Sequence, residues 1–321
     1  MNNIKNTMQK VTSALTFTAC VMLSANALAD IEVSESIPSN NVTNVSINNQ
    51  SGKVKVIGWD KEEIKVEGTL GDDAKNLMFS KKGAQVVIEV DYPNSSQWHA
   101  DGSNLTIYMP KALRMKSIGV STDMSLNNLH GGVEVRTVSG DISAKALTES
   151  IELNSVSGNI KSHELSGKIS LAAVSGDIID KNSQGRLEIR AVSGEVDTNT
   201  KAKEVFFNNV SGDSELNLAE ITELRIRTVS GNLVVKLSLN DKGLVKGSTV
   251  SGDLDFIFQS GVDADFSIKS SVGGDIENGL TSAKAEHPEY GPGAKLNFQT
   301  GSGSALVRVA TVSGNVSVTS K

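Results

Sequence analysis

The chain has 321 residues, with 31 Lys and Arg against 37 Asp and Glu, a formal charge of −6. An acidic surface does not attract phosphate backbones, so nucleic acid is excluded as an expected partner. A single cysteine leaves no disulfide framework, and 29 glycines with only 4% aromatic residues fit a repetitive β-structure better than a core of large aromatic anchors.

At the start, Lys5 and Lys10 precede an apolar stretch from Val11 to Leu23, followed by Ala27-Leu28-Ala29 and then Asp30. This order predicts a secretory signal peptide over 1–29 and a mature chain beginning at Asp30. Removing the two leader lysines leaves 29 − 37 = −8. A rival cleavage after Phe17-Thr18-Ala19 would leave Cys20 as an acylated first residue of a lipoprotein. No later stretch reaches the ~18 apolar residues of a membrane span, so no transmembrane helix is expected in the mature chain. The expected location is the periplasm, or the cell surface and medium.

Residues 30–115 read as an N-terminal β region that begins a solenoid less regularly. Gln50-Ser51-Gly52 is flanked by Val45 and Ile47 before it and by Val54 and Val56 after it, an early coil. A polar loop from Asp91 to Asn104 then interrupts the pattern and holds Trp98 and His99.

From 116 to 321 the chain is expected to be a regular solenoid. Val-Ser-Gly recurs with Gly140, Gly158, Gly176, Gly194 and Gly212 spaced 18 residues apart, then more loosely with Gly231, Gly252 and Gly314. Gly274 belongs to a degenerate Val-Gly-Gly copy. Fixed self-similarity at this period signals stacked coils. Two residues after each glycine stand Ile142, Ile160, Ile178 and Val196, and at offsets eleven and thirteen stand pairs such as Ile151 and Leu153 or Ile169 and Leu171. Alternation of this kind makes short strands with one inward face. The expected fold is therefore all-β: a single-stranded parallel β-solenoid, or β-helix, of about ten coils, each lying on the one before and the end coils covered against edge growth. At the corners the valine is expected to fill the interior, serine to bond backbone, and glycine to permit positive φ or close approach. The following Asp or Asn is expected to bond its own backbone. A second interruption at 278–293 holds His287, Pro288, Tyr290 and Pro292.

Ser51-Gly52-Lys53-Val54-Lys55-Val56-Ile57-Gly58-Trp59-Asp60, then Glu63-Ile64-Lys65-Val66-Glu67-Gly68 and the serial Val-Ser-Gly-Asp corners, resemble a bacterial β-strand-repeat family of unknown function labelled "putative adhesin". The resemblance runs from about Val42 to the C-terminus. It implies an exported or envelope-associated solenoid and carries over no catalytic residue.

The carboxylates after the corner glycines, Asp141, Asp177, Asp213 and Asp253, are weak candidates for Ca²⁺, which takes several oxygen ligands. The paired-glycine nonapeptide of calcium β-rolls is absent, so solvent-facing turn residues are the simpler account and no metal is expected. No cofactor is expected either: the histidines lack metal-ligand spacing, and Gly301-Ser302-Gly303 lacks the context of a phosphate loop. Ligand contacts, if the loops make them, fall to Tyr92, Trp98, His99, Asp101 and Tyr290, since loops on a rigid scaffold are where recognition sits. Outward residues at offset twelve, Glu152, Ser170, Glu188, Phe206 and Arg225, form no focused acid–base set. The sequence thus points to a non-catalytic binding or scaffold protein, adhesin-like, whose partner is an envelope protein, a surface polysaccharide or itself. A polysaccharide-active β-helix enzyme and a self-assembling structural protein are the alternatives.

Overall fold

The structure, a computed structural model, describes residues 31–92 and 102–321. The expected leader with Cys20 and the loop residues Trp98, His99 and Asp101 lie outside the described residues. Among the described residues there is no helix, so none that could cross a membrane.

The fold is an all-β parallel solenoid. A regular coil supplies one long strand, such as Thr148–Ser155, and one short strand, such as Ile160–His163. Each pairs in parallel with its counterpart 18 residues on, so Ile151 faces Ile169 and Ile160 faces Ile178. One inner column runs Val86, Val45, Met115, Val133, Ile151, Ile169, Leu187, Val205, Leu224, Val245, Val307 and Phe266, twelve rungs with every residue buried. At ~4.8 Å per rung the rod is roughly 55 Å long, two rungs more than the sequence suggests. Burying each Val, Leu or Ile contributes about 1.5–3 kcal/mol, which makes these columns the main stabilising element.

The rungs do not follow chain order at the ends. The strand Asn44–Trp59 lies between Arg114–Asn127 on one side and the pair Gln85–Asp91 and Ser103–Pro110 on the other. At the far end Ala305–Thr311 and Val316–Ser320 slide in between the rung of Leu254 and the rung of Ile276. The glycine neighbouring Gly252 is thus Gly314, not Gly274, which corrects the expectation that each coil rests on the preceding one. The reason lies in the caps. Ala294–Thr300 returns antiparallel on Ala264–Ser270, and the chain then re-enters one rung inward. At the other end Asn76–Lys82, Glu63–Leu70 and Ile31–Pro38 are also antiparallel, so both terminal rungs are covered. Covering them removes long open edges that would template growth.

The loosened spacing after Gly212 is taken up at the corner opposite the glycines. There the register shifts between Asn217 and Glu220 and again between Ile221 and Glu223, and Leu218, Ile221 and Leu239 bury the extra turn. In the regular coils that opposite corner is turned by Asn128, Ala146, Glu164 and Asn182, all at φ of 53–59°. A residue at positive φ without glycine is uncommon, and here each donates its N–H to the next rung, as Ala146 does to His163 O at 3.0 Å. Trp59 packs within the scaffold: its ring stacks on Tyr108 at 5.1 Å and its Nε1 donates to Glu63 O.

Two corner expectations are corrected. The valines point outward, each 36% exposed or more, while the residue before each one is buried, except at the degenerate copy, where the buried residue is Ser270, two before Val272. The pleat explains it: Leu153 points in, Asn154 out, Ser155 in and Val156 out, so the valine is one beat past the inward face. Nor does the following Asp or Asn bond its own backbone. Asp141 Oδ1 accepts from Asn159 N at 2.7 Å, Asn159 Oδ1 from Asp177 N at 2.8 Å and Asp177 Oδ1 from Glu195 N at 2.9 Å, a ladder between rungs.

Candidate functional site

The glycine corner is held from three directions. Where the buried residue before the valine carries a hydroxyl it can cap the turn, with Thr137 Oγ1 accepting from Gly140 N at 3.2 Å, Ser155 Oγ from Gly158 N at 2.8 Å, Thr249 Oγ1 from Gly252 N at 3.1 Å and Thr311 Oγ1 from Gly314 N at 2.8 Å. The corner serine donates its backbone N–H to the valine carbonyl of the neighbouring rung, as Ser157 does to Val138 O at 2.7 Å. Glycine is required because rungs touch there: a Cβ on Gly176 would stand 2.1 Å from Gly158 O. With inner space, turn and neighbour all occupied, the valine side chain has only solvent to enter.

The result is an unbroken outer column of Val120, Val138, Val156, Val174, Val192, Val210, Val229, Val250, Val312 and Val272, exposed by 36–55%. Ile118 stands beside its first rung, 49% exposed. Between this ridge and the outward residues two positions earlier runs a groove of about 420 Å³, lined by Ile118, Ala172, Ala173 and the valines from 138 to 192, with Arg136 and Arg190 on its rim. Monomeric proteins seldom expose apolar stripes of this extent unless something contacts them. Sequence reasoning missed the site, although its signal was present: offsets eleven and thirteen are odd, so an inward valine at offset sixteen breaks the pleat's parity.

The ridge separates two columns of opposite charge. On the groove side stand Arg136, Arg190, Arg227 and Lys269; on the other stand Asp123, Asp141, Asp177, Glu195, Asp213, Asp253 and Asp275, all exposed apart from half-buried Asp253. Arg136 bridges Glu134 and Glu152 at 3.2 Å each, and Arg190 pairs with Glu188, yet both guanidinium side chains remain 55% exposed.

The metal candidates Asp141, Asp177, Asp213 and Asp253 fall in the acidic column. Their Oδ1 atoms accept backbone N–H groups of the adjacent rung, Asp213 from Asn232 and Asp253 from Asn315 at 2.8 Å each. Among the described residues no three His, Cys, Asp or Glu side chains are grouped to hold a metal ion. Beside Asp253, the Asp255 carboxyl is pushed up by partial burial and then by the Asp253 and Glu277 carboxylates. A second open cavity of about 490 Å³ has Lys53, Lys55 and Lys161 facing Asp123 and Asp141, whose Oδ1 atoms are likewise committed to backbone.

Tyr92 and Tyr290 are not brought together. Tyr92 follows the first rung, where its hydroxyl lies 2.7 Å from Ser103 Oγ and donates to Ser51 O at 3.2 Å, inside the scaffold. Tyr290 is 85% exposed in the loop beside the last rung, next to a cavity lined by Lys269, His287, Pro288, Pro292 and Lys295. Among the described residues one titratable group is enclosed by the core. Asp180 is fully buried and accepts from Ser162 Oγ at 2.5 Å, Ser183 Oγ at 2.5 Å and Thr198 Oγ1 at 3.2 Å; burial raises its carboxyl despite these three bonds.

A family model described as Toastrack DUF4097 matches residues 4–319. The chain belongs to this family. No curated relative matches it. Three solved structures resemble this Toastrack chain. A "putative lipid binding protein" of Parabacteroides distasonis is 14% identical, covering 89% of this chain and 96% of its own, with a TM-score of 0.44. A "putative adhesin" of Bacteroides fragilis is 10% identical, covering 91% and 98%, with a TM-score of 0.41. A "putative cell adhesion protein" of Clostridium sporogenes is 11% identical, covering 91% and 100%, with a TM-score of 0.28.

Proposed function

We propose that this Toastrack protein is exported and acts without catalysis, as a rigid binding or scaffold rod of the cell envelope or surface. One observation carries the reading: the ten-rung ridge of exposed valines beside an apolar groove, held on a scaffold whose corner atoms are otherwise spent on neighbouring rungs. A contact face needs such a rigid, desolvatable stripe, whereas a catalytic site needs titratable groups converging on one point. The partner is an envelope protein, a surface polysaccharide or another copy. The adhesion names carried by the solved structures agree with this class of role.

The test compares the protein with Val156→Ser, Val174→Ser and Val192→Ser combined, using capture from envelope extracts and a glycan array. Capture that disappears in the triple variant while its melting temperature holds supports the reading. Equal capture by both proteins overturns it.

A further inference from the structure

We propose that the valine corner is the interface of a parallel, in-register homodimer whose two-fold axis runs along the solenoid. This rests on the reading of that corner as the contact face, and it names the partner as a second copy of the chain.

Three features of the corner select that arrangement. The first is area. Ten valines at 36–55% exposure, with Ile118 at 49%, present on the order of 700 Å² of apolar surface, near the ~800 Å² per partner of a standard interface. The second is shape. A two-fold along the rod brings the ridge of one copy over the groove of the other and the reverse, on both sides at once; a two-fold across the rod would set ridge against ridge. Because both copies share one rung spacing, the interlock stays in step along the whole ladder.

The third is charge. A two-fold along the rod places the groove-side cations of one copy against the acidic column of the other at the rungs that carry them. Arg136 then faces Asp141 of the second copy, Arg190 faces Glu195 and Lys269 faces Asp275, because each of these cations shares its rung with an acid on the other side of the ridge. Rods run antiparallel would instead oppose acid to acid along the ladder, and like-charge juxtaposition suppresses that pairing. The complementarity turns a net acidic chain, which would otherwise repel its copy, into one that selects a single orientation.

Sedimentation velocity and cross-linking test the proposal. The protein is expected to show a concentration-dependent dimer, weakened at least ~30-fold by combined Val156→Ser, Val174→Ser and Val192→Ser. Arg190→Glu is expected to weaken it about tenfold, and Arg190→Glu with Glu195→Arg to restore most of the affinity. In a Cys20→Ser background, Val138→Cys and Val250→Cys are each expected to give disulfide-linked dimers on their own, since every rung meets its own counterpart. Val138→Cys linking only to Val312→Cys, the rung it meets when the ten are reversed, means antiparallel rods and overturns the proposal. A monomer at about 100 μM also overturns it, as does a monomer whose groove takes up a fluorescent fatty acid. If a monomeric protein still captures an envelope partner through its valines, the dimer falls and the proposed function stands; if corner-dependent capture is absent as well, both fall.

Discussion

Replacing Gly176 by alanine probes the closest approach between rungs. The added Cβ would lie 2.1 Å from Gly158 O and 2.6 Å from Gly158 C. Relieving that overlap moves one backbone about 1 Å, and both sides are pinned. Ser175 N donates to Val156 O at 2.8 Å, and Asp177 N to Asn159 Oδ1 at 2.8 Å. Lengthening either by that amount takes it past hydrogen-bond range, at about 0.5–1.5 kcal/mol each. Overpacking adds roughly 1–3 kcal/mol, so the expected loss is about 3 kcal/mol and the melting temperature falls by about 6–12 °C. Gly273 supplies the control, because a Cβ there meets nothing within 4 Å. Gly273→Ala is expected to be neutral or to stabilise by about 0.4–1 kcal/mol through the unfolded chain. Thermal scans and urea titrations of the two variants side by side read the difference. A Gly176→Ala protein melting within about 1 °C of the natural one refutes the close-approach argument, as does equal damage from Gly273→Ala.

Further outcomes follow from the core and the acidic column. Ile160 is fully buried between Ile142 and Ile178, so Ile160→Ala is expected to cost about 2–5 kcal/mol by urea titration, and a loss under about 1 kcal/mol contradicts the inner column. Burial raises Asp180, so its protonated form suits the folded state. The stability it contributes is full below the unfolded carboxyl value of about 3.9 and is lost as pH rises through the folded value. Asp180→Asn, a neutral mimic, should therefore gain on the natural protein as pH rises above about 4; urea midpoints that keep a constant difference contradict this. Millimolar Ca²⁺ should shift the melting temperature by less than about 1 °C, because the Asp ladder already spends an oxygen per residue on backbone.

Much of the architecture was legible because a solenoid writes its geometry into a period. The 18-residue spacing of Gly140 to Gly212 gave the rung, and Ile142, Ile160 and Ile178 gave an inner column that the structure bears out. The valines misled because an apolar β-branched residue next to a strand reads as core, whereas the pleat assigns its side by parity alone. The re-entry of 305–320 beneath 264–278 was hidden for another reason. Val312-Ser313-Gly314 carries the same motif as its neighbours, and nothing in a repeated motif records which copy lies above which. The opposite corner lacks a signature because Ala146 and Glu164 hold positive φ through bonds to the next rung rather than through glycine. Asp180 reads as an ordinary polar residue until Ser162, Ser183 and Thr198 are seen around it. The ligand contacts expected at Trp98, His99 and Asp101 remain proposals outside the described residues.

The rung order itself is open to one direct measurement, disulfide formation between engineered pairs in a Cys20→Ser background. Asp255 is adjacent to Ser317, and Ser317 to Glu277, so Asp255 and Glu277 stand two rungs apart. Adjacent rungs put Cα atoms ~4.8 Å apart, inside the span a disulfide bridges, and two rungs put them well outside it. Asp255→Cys with Ser317→Cys should oxidise readily, and Asp255→Cys with Glu277→Cys should stay reduced. The opposite pattern would mean that the coils stack in chain order and that the account of the rod is wrong.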